Sequence, residues 1–310
     1  MIKWEKKGLI YSAKGNRWWN KSHAQEPVAD IMRDRLRIYY SSRDAGNKSH
    51  TSYIETDVND PGKILFENPE PILPLGERGS FDDDGVMPSC VIGHDGKKYL
   101  YYTGWHRAEE YPYLNSMGLA VSEDGGVTFS KYGDEPLIKV VGKGEFTGTS
   151  FVMLDDGVFK MWYLHCVKWV EVSGLKEPVY NIKYAESQDG KQWAPSVKGV
   201  IELNEDEGGI SSPSVLKEDG IYKMWYSYRR SVDYRTNKDS SYRIGYAESN
   251  DGIHWIRKDD EAGIERSDEG WDSDMTAYPY VVRKDNTRYM FYNGNGFGKS
   301  GLGYAVSNVL

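Results

Sequence analysis

Charged and polar side chains recur in this sequence directly before and directly after short apolar and aromatic runs. The carboxylates that precede the runs are Glu26, Asp82, Asp83, Asp84, Glu145, Asp272 and Asp274. Two neighbouring carboxyl groups can perform acid–base chemistry, because one can donate a proton while the other accepts one. The uncharged residues that precede the runs are His23, Gln25, Thr147, Thr149, Ser211, Ser212, Thr276 and Tyr278.

An arginine or lysine follows four of the five runs. The polar and aromatic residues named after the successive runs are Arg43; Trp105, His106 and Arg107; His165, Lys168 and Trp169; Tyr228, Arg229 and Arg230; and Asn293 and Asn295. Carboxylates, imidazoles, cations and aromatic rings together suit a polar ligand such as a sugar. The repeated cations favour an anionic ligand, such as a uronic acid, a sialic-type sugar or a sugar phosphate. In the alternative interpretation, each arginine pairs with a nearby carboxylate.

The apolar and aromatic runs form a pattern that repeats five times. The repeated cores are Ile38–Tyr40, Leu100–Tyr102, Met161–Tyr163, Met224–Tyr226 and Met290–Tyr292. A proline lies 13 residues before the end of three cores (Pro27, Pro213, Pro279) and 14 before the end of the second (Pro88), and Ser150 replaces it in the third. Repeats of this kind are typical of propellers. The sequence therefore predicts an all-β, five-bladed β-propeller of four-stranded antiparallel blades.

Three repeats continue into a hairpin that contains an Asp-Gly turn. These hairpins span Gly118–Phe129, Ile182–Trp193 and Ile244–Trp255. Asp-Gly between β-rich runs is a strong hairpin signal, because glycine adopts the positive φ that such turns need. Ser122, Ser187 and Ser249 belong to these turns, and we assign them a structural role.

The predicted blades cover residues 24–75, 85–138, 147–202, 210–264 and 275–308, so that residues 1–310 form one domain. The last blade ends after its third strand. Residues 3–10 resemble His254–Lys258 and the following Gly263-Ile264. We expect residues near 2–10 to supply the outer strand of the last blade, which removes open strand edges. The longer segments 104–117, 165–180 and 228–241 follow second strands. We expect them to reach the same end as the residues before first strands, where long loops often build a binding face.

The composition excludes several classes of partner. The net charge of −8 and the absence of a Lys/Arg run disfavour nucleic acid and anionic membranes. Cys90 and Cys166 do not suggest a disulfide framework, and no ligand spacing around them suggests a metal. We predict no cofactor. The sequence has no apolar leader and no run of membrane-spanning length, and we expect a cytoplasmic protein.

The propeller pattern carries a family resemblance. Its proline-led inner strands and its Ala-Glu-Ser-x-Asp-Gly-x-x-Trp hairpins, Ala185–Trp193 and Ala247–Trp255, resemble the glycoside hydrolase superfamily of arabinanases, β-xylosidases, invertases and levansucrases. That superfamily places an Asp of blade one, an Asp of blade two and a Glu of blade three at the mouth of the propeller, which is the end where first strands begin and second strands end. The resemblance implies that Glu26, Asp84 (or its neighbour Asp83) and Glu145 stand closest to those places. The invertase-type Asn-Asp-Pro motif is absent.

If the protein hydrolyses glycosides, one carboxyl must be protonated and another ionised. We expect Glu26 to be the base or nucleophile and Asp84 or Glu145 to be the acid, with His106 or His165 as a substitute donor. The residues predicted to bind the substrate are His23, Arg43, Asp83, Trp105, His106, Arg107, His165, Lys168, Ser212, Arg229, Asp274, Tyr278 and Asn293.

Three other functions stay open at this point. The protein could bind a carbohydrate without catalysis. It could also be a transferase or phosphorylase, with the cations binding phosphate or a nucleotide diphosphate. A protein-interaction propeller is less favoured, because the mouth carries more charge than interface cores usually do.

Overall fold

The computed structural model describes residues 2–309, apart from the side chain of Val197. In this part of the chain the protein is almost entirely β-structure, with one four-residue helical turn, α1 (Asn295–Gly298), and a 3₁₀ turn at Asp259–Glu261. The strands are β1 (Glu5–Tyr11), β2 (Ser22–Ile31), β3 (Arg35–Arg43), β4 (Ser49–Asp57), β5 (Ile64–Glu67), β6 (Gly85–His94), β7 (Lys97–His106), β8 (Leu114–Ser122), β9 (Ser130–Lys131), β10 (Phe146–Asp155), β11 (Val158–Val172), β12 (Leu175–Ser187), β13 (Ala194–Ile201), β14 (Glu207–Glu218), β15 (Ile221–Arg230), β16 (Arg243–Ser249), β17 (Ile256–Arg257), β18 (Ala277–Lys284), β19 (Thr287–Asn293) and β20 (Leu302–Asn308).

The strands pair into five antiparallel units. The first four units are β2–β5, β6–β9, β10–β13 and β14–β17, and the fifth consists of β18, β19, β20 and β1. Single parallel pairs, Ser49 with Gly85 and Tyr180 with Gly209, join neighbouring units into larger sheets. The first strand of each unit packs against the first strand of the next, and β18 packs against β2. The first strands therefore form a closed ring of contacts.

The N-terminal strand completes the fifth unit. β1 pairs antiparallel with β20, from Glu5 opposite Val306 to Tyr11 opposite Leu302. Lys6 Nζ forms an ion pair of 2.7 Å with the buried Asp272, and the Trp4 ring packs edge-on against Trp225. The pairing that the sequence predicts for residues 2–10 is present.

The three Asp-Gly hairpins share one turn geometry. In each, the serine hydroxyl donates to the aspartate two residues later and accepts from a glycine N–H, as in Ser122, Asp124 and Gly126. The same bonds recur at Ser187 and Ser249. These serines stabilise the turns, as the sequence predicts.

In each of the first three units, the side chain of a tyrosine or tryptophan donates a hydrogen bond to a backbone carbonyl in the hairpin of the unit that follows. Tyr39 Oη donates to the Gly126 carbonyl at 2.9 Å, Tyr101 Oη to the Gly190 carbonyl at 2.8 Å, and Trp162 Nε1 to the Gly252 carbonyl at 2.7 Å. Trp225 holds the same place in the fourth unit, but the fifth unit has no such hairpin. The Trp225 Nε1 donor is therefore buried without a partner in the described residues.

Aromatic residues dominate the interior, where Trp19, Trp162 and Trp225 are fully buried. Cys90 and Cys166 are both buried free thiols. Within residues 2–309, no group of His, Cys, Asp and Glu side chains is arranged to hold a metal ion, and no helix of the described chain has the length and apolarity to cross a membrane.

Candidate functional site

A cavity of about 520 Å³ opens at the end of the ring where first strands begin and second strands end. All five units contribute to it. Its lining consists of His23, Gln25, Glu26, Arg43, Asn47, Ser49, Met87, Thr103, Trp105, Arg107, Pro112, Tyr113, Asn115, Phe146, Thr149, Leu164, Leu175, Lys176, Glu177, Tyr180, Ser211, Ser212, Tyr234, Arg235, Tyr242, Tyr278 and Phe297. Seven of the residues predicted from the sequence are therefore brought together here: His23, Glu26, Arg43, Trp105, Arg107, Ser212 and Tyr278.

Three of these residues directly precede a proline and have left-handed backbone conformations. Their φ angles are 53° at Glu26, 49° at Ser212 and 55° at Tyr278. The strand pairing is shifted by a bulge at each place. Such conformations are unfavourable for residues with a Cβ and persist only where the surroundings hold them. The bulges thus place all three side chains at the cavity.

Side chains of other strands hold these three residues through their backbone N–H groups. Asn293 Oδ1 accepts from Glu26 at 2.8 Å, and Ser227 Oγ accepts from Tyr278 at 2.7 Å. Thr149 Oγ1 accepts from Ser212 at 2.9 Å. Each bond comes from the preceding unit of the ring, so the cavity floor is fixed by contacts between units.

Glu26 is the only carboxylate among the corresponding positions of the units. Met87 precedes Pro88 in the second unit and lines the cavity, and Thr149 precedes Ser150 in the third. The three-carboxylate arrangement implied by the family resemblance is therefore not reproduced at these places.

Glu26 is buried, and its Oε2 atom has no hydrogen-bond partner in the described residues. Burial raises the pKa of this carboxyl to about 8, with the nearby Arg43 cation acting in the opposite direction. Desolvation disfavours the ionised form of a carboxyl. A carboxyl with a pKa of about 8 is mainly protonated at neutral pH, which is the state of a proton donor, whereas the sequence predicts a base or nucleophile at this position.

Among the described residues, the partners of the Arg43 cation are amide oxygens rather than carboxylates. Its Nε donates to Gln25 Oε1 at 3.0 Å and its Nη1 to Asn47 Oδ1 at 3.1 Å. No ion pair of Arg43 with a carboxylate is present within residues 2–309, and both of these bonds go to side-chain amides. Burial lowers its pKa, and the Arg235 cation adds to that effect. Neighbouring His23 stays neutral, since burial and Arg43 lower its pKa to about 4.

The second carboxylate in the cavity lining is Glu177, and it is fully engaged. Its Oε1 accepts from Arg235 Nε at 2.8 Å, and its Oε2 accepts from Arg235 Nη2 at 3.0 Å and from the Tyr234 hydroxyl at 2.5 Å. Although burial raises its pKa, the Arg235 and Tyr234 hydrogen bonds lower it overall. Glu177 is therefore ionised and neutralises Arg235.

Nine predicted site residues lie outside the cavity lining: Asp83, Asp84, His106, Glu145, His165, Lys168, Arg229, Asp274 and Asn293. Asp84 accepts from the Arg107 backbone N–H at 2.8 Å and from its guanidinium at 2.6 Å. Glu145 lies 4.0 Å from His165. Asn293 is fully buried behind Glu26, and Arg229 is buried behind the aromatic wall of the cavity.

Five residues of the cavity lining were not predicted from the sequence: Glu177, Tyr180, Tyr234, Arg235 and Tyr242. All five lie in or beside the long segments that follow second strands, which the sequence did predict to reach this end. Residues 165–180 were expected as a loop, but β11 continues to Val172 and β12 starts at Leu175. The length of these segments predicted that they reach the cavity, but no sequence motif indicated which of their residues line it.

Asn293 offers a test of how the cavity floor is held. Its Nδ2 donates to the carbonyls of Ala24 and Gly301, while its Oδ1 accepts from Glu26. Asn293→Asp would turn both donors into an acceptor facing buried carbonyls, and we expect a loss of roughly 2 kcal/mol or more in unfolding free energy by urea denaturation. Asn286→Asp, at an exposed turn of the same unit, should change stability by less than about 0.5 kcal/mol. Equal effects would contradict this role.

Comparisons with known proteins give relatives and a shared fold. No family model matches the chain. It is 36% identical over 306 residues to the uncharacterized protein Rv1502 of Mycobacterium tuberculosis H37Rv, with 98% of both chains covered. The same identity and coverage hold for the uncharacterized protein MT1551 of strain CDC 1551.

Solved structures of glycan-processing proteins superpose on nearly the whole chain. A glycosyl hydrolase from Bacteroides ovatus matches with a TM-score of 0.73 and 16% identity, covering 99% of this chain and 93% of that one. A structure described under the GH130 family of mannoside phosphorylases, which contains glycoside hydrolases that target β-1,2 mannosidic linkages in Candida mannan, matches at 0.74 and 15% (99% and 94%). A thermostable family-43 glycoside hydrolase matches at 0.66 and 18% (93% and 88%). These likenesses show that the chain shares the fold of these proteins.

Proposed function

The chain belongs to the same family as the mycobacterial protein Rv1502 and has the fold of propeller glycoside hydrolases, and on this basis we propose that it is a glycan-processing enzyme. In this proposal residues 1–310 form a single five-bladed propeller domain. The cavity at one end of the ring is the active site. The observation that carries the proposal is the buried Glu26 carboxyl in the cavity lining: its Oε2 atom has no hydrogen-bond partner in the described residues, and burial raises its pKa to about 8.

The lining suits a hydroxyl-rich ligand. Thr103 Oγ1 and Ser211 Oγ, like Glu26 Oε2, are buried at the cavity without a hydrogen-bond partner in the described residues. Buried polar groups normally have partners. In this proposal the three side chains turn towards the ligand as it binds, and the ligand then supplies those partners. Aromatic rings, among them Trp105 and Tyr278, line the same space. Together these groups offer both the stacking faces and the hydrogen bonds that a sugar ring needs.

Glu26 would act as the general acid. As the glycosidic bond breaks and water or phosphate bonds to the anomeric carbon, the Glu26 proton passes to the departing oxygen, and Glu26 is left as a carboxylate beside the Arg43 cation. With water as the nucleophile, the proton that the water loses restores the acid form of Glu26. A proton donor of this kind typically contributes roughly 10²- to 10⁴-fold to a rate. Because the acid form is required, turnover should fall as pH rises through about 8.

We further propose that the ligand is anionic. The whole chain carries a net charge of −8, yet the Arg43 guanidinium in the cavity is bonded to the amides of Gln25 and Asn47 and not to a carboxylate of the described residues. The nearby Arg235, by contrast, is paired with Glu177. A negatively charged ligand oxygen would pair with the Arg43 cation in a charge-assisted hydrogen bond. The anion could belong to the sugar or to a co-substrate.

A phosphate-dependent reaction is the second candidate. Within the described residues, both carboxylate oxygens of Glu177 are taken by Arg235 and Tyr234, so the lining offers no unengaged carboxylate besides Glu26. Hydrolysis with two protein carboxyls needs a second one as base or nucleophile. A phosphate held by Arg43 would supply the nucleophile instead.

Product release from neutral and acidic glycosides, nucleotide sugars and sugar phosphates tests the proposal, each with and without inorganic phosphate. We expect turnover of at least one acidic substrate and a loss of roughly 100-fold or more in Glu26→Gln. Glu123→Gln, at an exposed carboxylate outside the cavity, is the matched control. Turnover only with phosphate would select the second candidate.

Retention of wild-type turnover in Glu26→Gln would refute the role of Glu26. Binding of a sugar by the wild-type protein without turnover on any substrate would instead identify a non-catalytic carbohydrate-binding propeller.

A further inference from the structure

Arg229 is a fully buried arginine without a carboxylate partner in the described residues. Its guanidinium lies 3.8 Å from the centre of the Tyr234 ring and 4.9 Å from that of Tyr180. Its Nη1 and Nη2 donate to the carbonyls of Arg230 and Pro178 at 3.0 and 2.6 Å. A buried charge is costly unless it is paired. Here the cation is held by aromatic faces and carbonyl oxygens, directly behind the cavity wall.

The third nitrogen of Arg229 orients a pair of phenols. Arg229 Nε donates to the Tyr180 oxygen at 3.0 Å, and the Tyr180 and Tyr242 hydroxyls are hydrogen-bonded to each other. Both tyrosines line the cavity. Burial raises the pKa of Tyr242 well above its usual value, so that this phenol keeps its proton.

The hydrogen bonds of Tyr180 and Tyr242 use only one of their two hydroxyl protons. Arginine can only donate, so the Tyr180 oxygen is an acceptor towards Arg229. One of the two phenolic protons forms the bond between Tyr180 and Tyr242. The other has no acceptor among residues 2–309, whichever phenol carries it.

We propose that Arg229, Tyr180 and Tyr242 form an oxyanion-binding subsite, in which the free phenolic hydroxyl, backed by the buried Arg229 cation, donates to a negatively charged ligand oxygen. The ligand chemistry is a carboxylate or a phosphoryl group. Hydrogen bonds to charged oxygens are stronger than those to neutral ones. The subsite rests on the proposed function in one respect only, namely that the ligand occupies this cavity.

The surrounding backbone is shaped to receive this cluster. A Cβ atom on Gly208 would lie 2.4 Å from Arg229 Nη1, and one on Gly209 would lie 2.2 Å from the Tyr180 ring. Both positions therefore exclude any side chain. Gly209 also pairs with Tyr180 between the third and fourth units. The adjacent glycines let the guanidinium and the phenol approach the backbone closely.

Binding titrations of three probes by ligand-observed NMR test the subsite: D-glucuronate and inorganic phosphate as oxyanions, and D-glucose as the neutral reference. In Tyr180→Phe the cation no longer contacts a hydroxyl, and we expect oxyanion binding to weaken about tenfold or more. In Tyr242→Phe the Tyr180 proton becomes free for the ligand, and oxyanion binding should stay within about threefold of wild type. Glucose binding should change less than about threefold in both variants. Tyr246→Phe, whose hydroxyl bonds Glu248 away from the cavity, is the control for loss of a phenol.

The two oxyanion probes separate the possible sources of the charge. Binding of glucuronate alone indicates a carboxylate on the sugar, whereas binding of phosphate alone indicates a free phosphoryl group, and either supports the subsite. Equal weakening of charged and neutral probes in Tyr180→Phe, or no binding of either oxyanion to the wild-type protein, would overturn it. Oxyanion binding with this pattern but without turnover on any substrate would keep the subsite and refute the proposed enzyme.

Discussion

Replacing Glu26 with glutamine is expected to stabilise the protein, and the gain should grow as pH rises from about 5 to about 8. In the unfolded chain the carboxyl titrates near 4.5, whereas burial raises its folded pKa to about 8. Between these values the folded state binds the extra proton, so the stability of the wild-type protein falls as pH rises. The amide of glutamine does not titrate, so the stability of the Glu26→Gln variant does not fall with pH for this reason. The shift sets an upper limit of roughly 5 kcal/mol on the difference between the two ends of this range.

Thermal melts of wild type and Glu26→Gln between pH 5 and 9 measure this effect. Glu123→Gln is the matched control, because hydrogen bonding with Lys97 lowers the pKa of that exposed carboxyl and its effect should be flat above pH 5. A Glu26→Gln difference in melting temperature that is the same at pH 5 and pH 8 would show that Glu26 is not protonated in the folded protein.

Removing residues 2–11 is expected to unfold most of the protein at 37 °C. The deletion takes away all of β1 together with the buried side chains of Trp4, Ile10 and Tyr11. Burial of each such side chain contributes roughly 1.5–3 kcal/mol, and a whole domain has a net stability of only about 5–15 kcal/mol. The deletion also leaves the edge of β20 unpaired and Asp272 without Lys6. The soluble fraction and the circular dichroism melting curve report the loss.

A double variant, Glu5→Ala with Lys7→Ala, keeps β1 but removes an exposed ion pair. Such pairs contribute little, and its melting curve should match wild type within a few degrees. If the truncated protein melted like the wild type, the pairing of β1 with β20 would not hold the fifth unit closed.

The strand repeat was readable from the sequence because each unit repeats the same local requirements. A proline begins the ring-facing part of most first strands, an apolar-aromatic core marks each second strand, and an Asp-Gly turn ends three of the third strands. Ser150 shows that the proline is dispensable where the other two signals remain. What the repeat does not encode is the length of β11 and β12, since Lys168 and Glu177 are polar and look like loop residues.

The site was predictable only where it depends on the repeat. Glu26 was found because it precedes Pro27, and the bulge at that place turns it to the cavity. Asp84 precedes Gly85 at the start of β6, and its carboxylate instead accepts a hydrogen bond from the Arg107 guanidinium. Glu177 and Tyr180 depend on which side of a long hairpin faces the ring, a tertiary property that no local pattern specifies. The protonation of Glu26 likewise follows from burial by several units at once.

The pairing of β1 with β20 has a consequence for synthesis. The two strands lie near opposite ends of the chain, so β1 leaves the ribosome long before its partner exists. Until then, Leu9, Ile10 and Tyr11 remain on an unpaired strand, which is the kind of segment that associates with other chains. Contacts between such distant residues also form late in folding. The ring can therefore close only after β20 has emerged, and a nascent chain stalled before Leu302 would hold four units with an unprotected fifth.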